Sequence, residues 1–78
     1  MKEEVLFTFL NWDYREMPCT LITYDNGQID LHAPTGEGHR GAIIQAALML
    51  KDRGLQVGEM KLLDSSGMYY PVYPFKKE

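Results

Sequence analysis

Gly36-Glu37-Gly38-His39-Arg40-Gly41 reads G-x-G-x-x-G between a strand pattern and a helix pattern. This is the local setting in which a dinucleotide pyrophosphate rests on a helix N-terminus. Three features speak against that chemistry. The preceding strand belongs to an antiparallel hairpin and not to a parallel βαβ unit. Seventy-eight residues are too few for half a doubly wound sheet plus a substrate site. Glu37 would set a negative charge beside the pyrophosphate. The segment therefore reads as a flexible connection from sheet to helix. A narrower use remains, an oxyanion held at the helix start by His39 and Arg40.

The other reactive residue types do not assemble into a catalytic set. His32 and His39 fall on different elements, with no cysteine pair and no His-x-x-x-His helix to complete a metal site, so no metal and no cofactor are expected. Cys19, the single cysteine, rules out an internal disulfide and suits a reducing compartment. A nucleophilic Cys19 needs a nearby base. The hairpin register derived below places Cys19, Leu21, Asp30 and His32 on one side, which leaves a Cys19–His32 pair as the one catalytic arrangement to test. Without an oxyanion donor it does not make an enzyme, and none is expected.

Recognition chemistry is better represented. Trp12-Asp13-Tyr14-Arg15-Glu16-Met17 has two aromatics, an arginine and a methionine between acids, where no strand or helix period explains them. Trp, Tyr and Arg are the residues enriched at binding hot spots. The plainer alternative is that Trp12 and Tyr14 fold back to enlarge a small core. A second aromatic cluster ends the chain: Tyr69, Tyr73 and Phe75 on one face of a strand, Met68, Tyr70 and Val72 on the other. Such strands can stack unpaired bases when a cationic groove accompanies them, and only Lys61, Lys76 and Lys77 are near in sequence.

The elements that must position these residues follow from periodicity and turn chemistry. Val5–Leu10 is a strand with apolar residues on both faces, which predicts a central or covered position. Asn11–Pro18 is a loop, and Cys19–Tyr24 a second strand. Asn26-Gly27 predicts a two-residue type I′ turn. That turn pairs Tyr24 with Ile29 and Ile22 with Leu31, putting these four on the core face and Thr23, Asp30 and His32 on the other. His39–Arg53 is a helix with Ile43, Ala46, Ala47 and Leu50 in its stripe, widened by Ile44 and Leu48. Gly54 is its left-handed C′ residue, with Leu55 touching Leu50. Glu59–Leu63 and Met68–Tyr73 are two more strands around an Asp64–Gly67 turn, and Pro71 and Pro74 predict that the last is an edge. The expected fold is α+β, a single domain over 1–78, with an antiparallel sheet of about five strands (β-β-β-α-β-β) around one helix.

Charge adds a direction. Residues 1–38 carry seven acids and two bases, a net −5, whereas residues 39–78 carry six bases and four acids, a net +2. No basic stripe exists to track a phosphate backbone, so nucleic acid is not expected as a partner. An acidic face suits a basic protein surface and speeds encounter with it. No apolar run approaches the ~20 residues of a membrane span, and no signal-peptide pattern opens the sequence. A cytoplasmic, membrane-free setting is expected. A second copy of the chain is a further candidate partner, because so small a domain gains from added burial.

In length, acidity, cysteine usage and strand order, with the glycine-led helix Gly38–Arg53 followed by a hairpin, the chain resembles small phage-encoded inhibitors, notably anti-CRISPR proteins. Its first half also resembles antitoxin-like β-β-β-α domains. The first resemblance implies an inhibitor that occludes a basic, nucleic-acid-binding surface of a bacterial effector complex. The candidate partner-binding residues are Trp12, Asp13, Tyr14, Glu16, Asp30 and Glu37. The alternative is a single-stranded nucleic-acid-binding or antitoxin-like domain that uses the C-terminal aromatic strand.

Overall fold

A computed structural model describes residues 1–10 and 14–75. Trp12 and Asp13 of the candidate binding loop, and Lys76 and Lys77 of the tail, lie outside these described residues. The elements are β1 (Lys2–Leu10), β2 (Glu16–Thr23), β3 (Ile29–Ala33), α1 (His39–Asp52), β4 (Leu55–Val57), β5 (Leu62–Asp64) and β6 (Gly67–Pro74). The strands form one antiparallel sheet in the order β1-β2-β3-β6-β4, with β5 also paired to β6. The class is therefore α+β, a single helix packed on an antiparallel sheet, as the sequence pattern implies.

The β2–β3 turn is one residue longer than expected. Tyr24 N–H donates to Gln28 O at 2.8 Å and Gly27 N–H to Tyr24 O at 3.0 Å, enclosing Asp25, Asn26 and Gly27. Gly27 has a φ of +87°, while Asn26 is not in the positive-φ region that a type I′ turn demands of it. This is the three-residue hairpin that ends in a left-handed glycine. Asn26 Oδ1 accepts from Gln28 N–H at 3.0 Å, so its side chain closes the turn by a route open to a negative φ. The extra residue moves the register by one: Leu21 faces Leu31, Thr23 faces Ile29, and Ile22 faces Asp30. On β2 the face toward α1 is thus Cys19, Leu21 and Thr23, and Ile22 and Tyr24 lie on the opposite face, where Ile22 is still buried.

Two further expectations change for local reasons. β1 is an edge strand although both its faces are apolar. A bulge between Val5 and Phe7 lets Leu6, Phe7 and Phe9 all pack on the core, leaving Val5 and Leu10 exposed. β6 is interior although it carries two prolines. Pro71 accepts from Gly58 N–H at 2.8 Å, so its missing donor faces the 58–61 segment. The ladder between β4 and β5 is interrupted there. Pro74 lies beyond the last β3–β6 pair, Ile29 with Val72. The expected strand over 59–63 is accordingly replaced by two short ones, β4 before it at Leu55–Val57 and β5 at Leu62–Asp64, with no strand at 58–61.

α1 covers one face of the sheet. Ala42, Ala46 and Leu50 are buried, one turn apart, and the last two pack with Cys19, Leu21, Leu31, Ala33 and Val72. The small alanines let the helix approach closely. Ile44 and Leu48, expected to widen the stripe, are exposed. Gly54, with a φ of +77°, ends the helix, and its N–H donates to Lys51 O at 3.0 Å. Gly67 is fixed by space: a Cβ there would stand 2.5 Å from Ala33 O and 2.6 Å from Pro34 Cα.

Candidate functional site

Part of the candidate binding surface gathers at the end of β1. Gly38, the residue before α1, sits so close to that end that an added Cβ would be 3.0 Å from Phe9 Cδ2 and 3.1 Å from Leu10 O. Glu37 is thereby brought beside Leu10, and Leu10 is paired with Glu16 across the sheet. Leu10, Tyr14, Glu16 and Glu37 are all exposed. Tyr14 is 86% exposed and has a φ of +57°. A bulky side chain in that conformation is an outlier, and such strain persists where something other than packing selects it. The fold-back of Tyr14 into the core does not occur.

Asp30 stands elsewhere and is sealed. It is 2% exposed on the sheet face opposite α1. Tyr24 donates its phenol hydrogen to Oδ2 at 2.9 Å, and Lys61 Nζ meets Oδ1 at 2.7 Å. Burial, and then the hydrogen bond to Asp30, push the Tyr24 phenol pKa up. The segment that carries Lys61 is tied down by Lys61 N–H to Tyr69 O at 2.9 Å. Asp30 presents no charge to a partner. It holds the β4–β5 arm to β3.

The same pairing accounts for part of the charge asymmetry. Glu4 is held by Arg53 and Asp30 by Lys61, an acid from the N-terminal half and a base from the C-terminal half in each case. Asp25 is held by the Met1 ammonium at 2.6 Å. Two of the seven acids of residues 1–38 are thus neutralised by bases of the other half of the domain.

A polar cluster that sequence reading missed lies next to Asp30 on the outer face. His32 stacks on Tyr69 with ring centroids 4.6 Å apart. Ser66 Oγ donates to Asp64 Oδ1 at 2.6 Å, and it lies 3.3 Å from His32 Nε2 and 3.2 Å from the Tyr69 hydroxyl. The Ser66 hydrogen bonds hold the Asp64 carboxyl below the usual carboxylate range. Serine, histidine and aspartate here do not make a nucleophile. The single Ser66 hydrogen is on Asp64, so His32 can only donate toward Ser66 and cannot take its proton. The available signal was the spacing of Asp64 and Ser66 in the turn, with His32 two strands away.

The remaining reactive residues are committed. Cys19 faces α1 while His32 faces outward, so the expected shared side does not exist and the pair is ruled out by register. Burial pushes the Cys19 thiol up to about 11. His39 has Pro34 O at 2.9 Å from Nδ1 and the Tyr70 hydroxyl at 2.8 Å from Nε2, leaving neither nitrogen for a bound oxyanion. Among the described residues no three His, Cys, Asp or Glu side chains converge, and no helix is long and apolar enough to cross a membrane. Compared with protein-family models, curated proteins and solved structures, the chain gives no match.

Proposed function

We propose that the chain is a non-catalytic protein-binding module that presents Leu10, Tyr14, Glu16 and Glu37 to a basic partner surface, and that it inhibits by covering that surface. Trp12 and Asp13 belong to the same loop by sequence. The observation that carries the reading is Tyr14, 86% exposed and in a strained backbone conformation two residues from the exposed Glu16. An aromatic anchor with flanking acids combines a desolvated contact with steering at one place. Glu16 and Glu37 are both exposed, which supports a role for acids on this part of the surface. The inhibitor role follows the resemblance to small phage-encoded inhibitors.

A photo-crosslinking residue at position 14, compared with one at the exposed helix position 45, tests the reading. Specific adducts at 14 are expected, and Glu16→Lys with Glu37→Lys should abolish them while leaving the melting temperature unchanged. Equal capture from both positions, or capture that survives the charge reversals, would refute it. The alternative strand-binding reading loses one of its cations, since Lys61 is engaged by Asp30.

A further inference from the structure

At the opposite edge of the sheet, β4 and β6 form a cleft of about 430 Å³ lined by Gln56, Tyr73, Pro74 and Phe75. We propose that this cleft binds one planar, uncharged heteroaromatic ring, a nucleobase in nucleoside form, stacked between Tyr73 and Phe75.

Tyr73 and Phe75 are two residues apart on an extended segment, so they share a face at a separation of about 6.8 Å. Stacked bases are spaced about 3.4 Å apart, so a ring inserted between two others needs about twice that. The gap is held open from both sides. Tyr73 leans over Gly58: a Cβ added there would be 2.9 Å from Tyr73 Cε2 and 3.0 Å from Pro71 Cγ, so only a glycine lets the ring lie on that side, away from Phe75. On the other side the Phe75 main chain is anchored by its N–H to Gly54 O at 2.7 Å. Both rings are about half exposed.

The floor chooses among flat ligands. Gln56 is paired with Tyr73 across the sheet, and its amide offers a donor and an acceptor, the complement of a base edge. An aromatic or proline side chain would fill the apolar walls but leave that amide without a partner. None of the four lining side chains is charged, and Lys61 is spent on Asp30, so a phosphodiester strand finds no described cation here. The size and the largely apolar lining suit a small-molecule site.

Titration of the whole chain with adenosine, guanosine, cytidine and uridine, followed by two-dimensional NMR, tests the proposal. Saturable shifts are expected on the Tyr73 and Phe75 rings and the Gln56 side-chain amide, larger for the purines. Gly58→Ala should weaken binding about tenfold by pushing Tyr73 into the gap. If that variant loses its fold by circular dichroism, Phe75→Ala takes its place with the same expectation. Gln56→Leu should keep binding but level the preference among bases. The proposal is overturned by the absence of saturable shifts, by affinity unchanged in the folded Gly58→Ala or Phe75→Ala variant, by a proline-rich peptide binding as tightly as adenosine, or by a single-stranded oligonucleotide binding more tightly with a steep salt dependence.

Discussion

Arg53, at the C-terminal end of α1, grips Glu4 on the edge strand β1 with both terminal nitrogens, Nη1 to Oε1 at 3.0 Å and Nη2 to Oε2 at 2.6 Å. The fork joins residues 49 positions apart in the chain. It sets the end of the helix against the outermost strand. The pairing lowers the Glu4 pKa, first through the Arg53 hydrogen bonds, and raises that of Arg53.

Acid should therefore weaken the fold through Glu4. A carboxyl whose folded pKa is depressed contributes fully above its unfolded value, about 4.3 for Glu, and loses the contribution as pH falls through the lower folded value. Asp64 acts in the same sense. Urea midpoints measured from neutral to strongly acid pH should fall, and Glu4→Gln should make that fall shallower. An identical acid limb in the variant would show that the pair is not linked to folding.

The Asp30–Lys61 pair gives a sharper contrast. Lys61→Met leaves a buried carboxylate with Tyr24 alone and should cost about 3 kcal/mol in urea unfolding. Lys61→Met combined with Asp30→Leu should recover most of that loss, because no charge then remains buried. A double variant no better than the single would mean that the pair adds more than it costs to bury.

The turn can be distinguished from a type I′ hairpin by two substitutions. Gly27→Val meets a positive φ and should cost more than about 1 kcal/mol. Asn26→Ala loses only the side-chain bond to Gln28 and should cost less than about 1 kcal/mol. Chemical denaturation of both variants decides it, and equal large losses would restore the shorter turn.

Cys19 should be silent toward a chromogenic aromatic disulfide in the native protein. The thiol is fully buried and its pKa is pushed up to about 11, so little thiolate exists at neutral pH. Reaction should become rapid in denaturant. Fast native labelling would place Cys19 at the surface.

What sequence reading could and could not reach divides along physical lines. The helix and its glycine stop were legible because α-helix signals are local: the repeat of Ile43, Ala46, Ala47 and Leu50 and the glycine at 54 need only their own neighbours, although the buried stripe begins at Ala42. The hairpin was legible as a hairpin, but its register was not, since Asn26 satisfies either turn type and a single residue exchanges the faces of β2 relative to β3. The places of β1 and β6 were misread because edge or interior status depends on partners far along the chain. Neither the bulge at Leu6 nor the interruption opposite Pro71 has a local signature. At the candidate site, the exposure of Tyr14, Glu16 and Glu37 agrees with the composition of their segments. Asp30 looked like any surface acid because its cation, Lys61, is 31 positions away in the sequence. The Ser66 cluster needed three strands to be in place before it could be seen.

β6 is the strand that joins the sheet. β6 lies between β3 and the β4–β5 arm, so a nascent chain that has not yet released residue 74 holds a three-strand meander and a detached arm with no ladder between them. β3 then shows a raw edge, and α1 has only part of its floor. Loss of β6 would leave two sticky halves in place of a shortened domain. Selection against aggregation, as much as any binding role, would keep β6 intact.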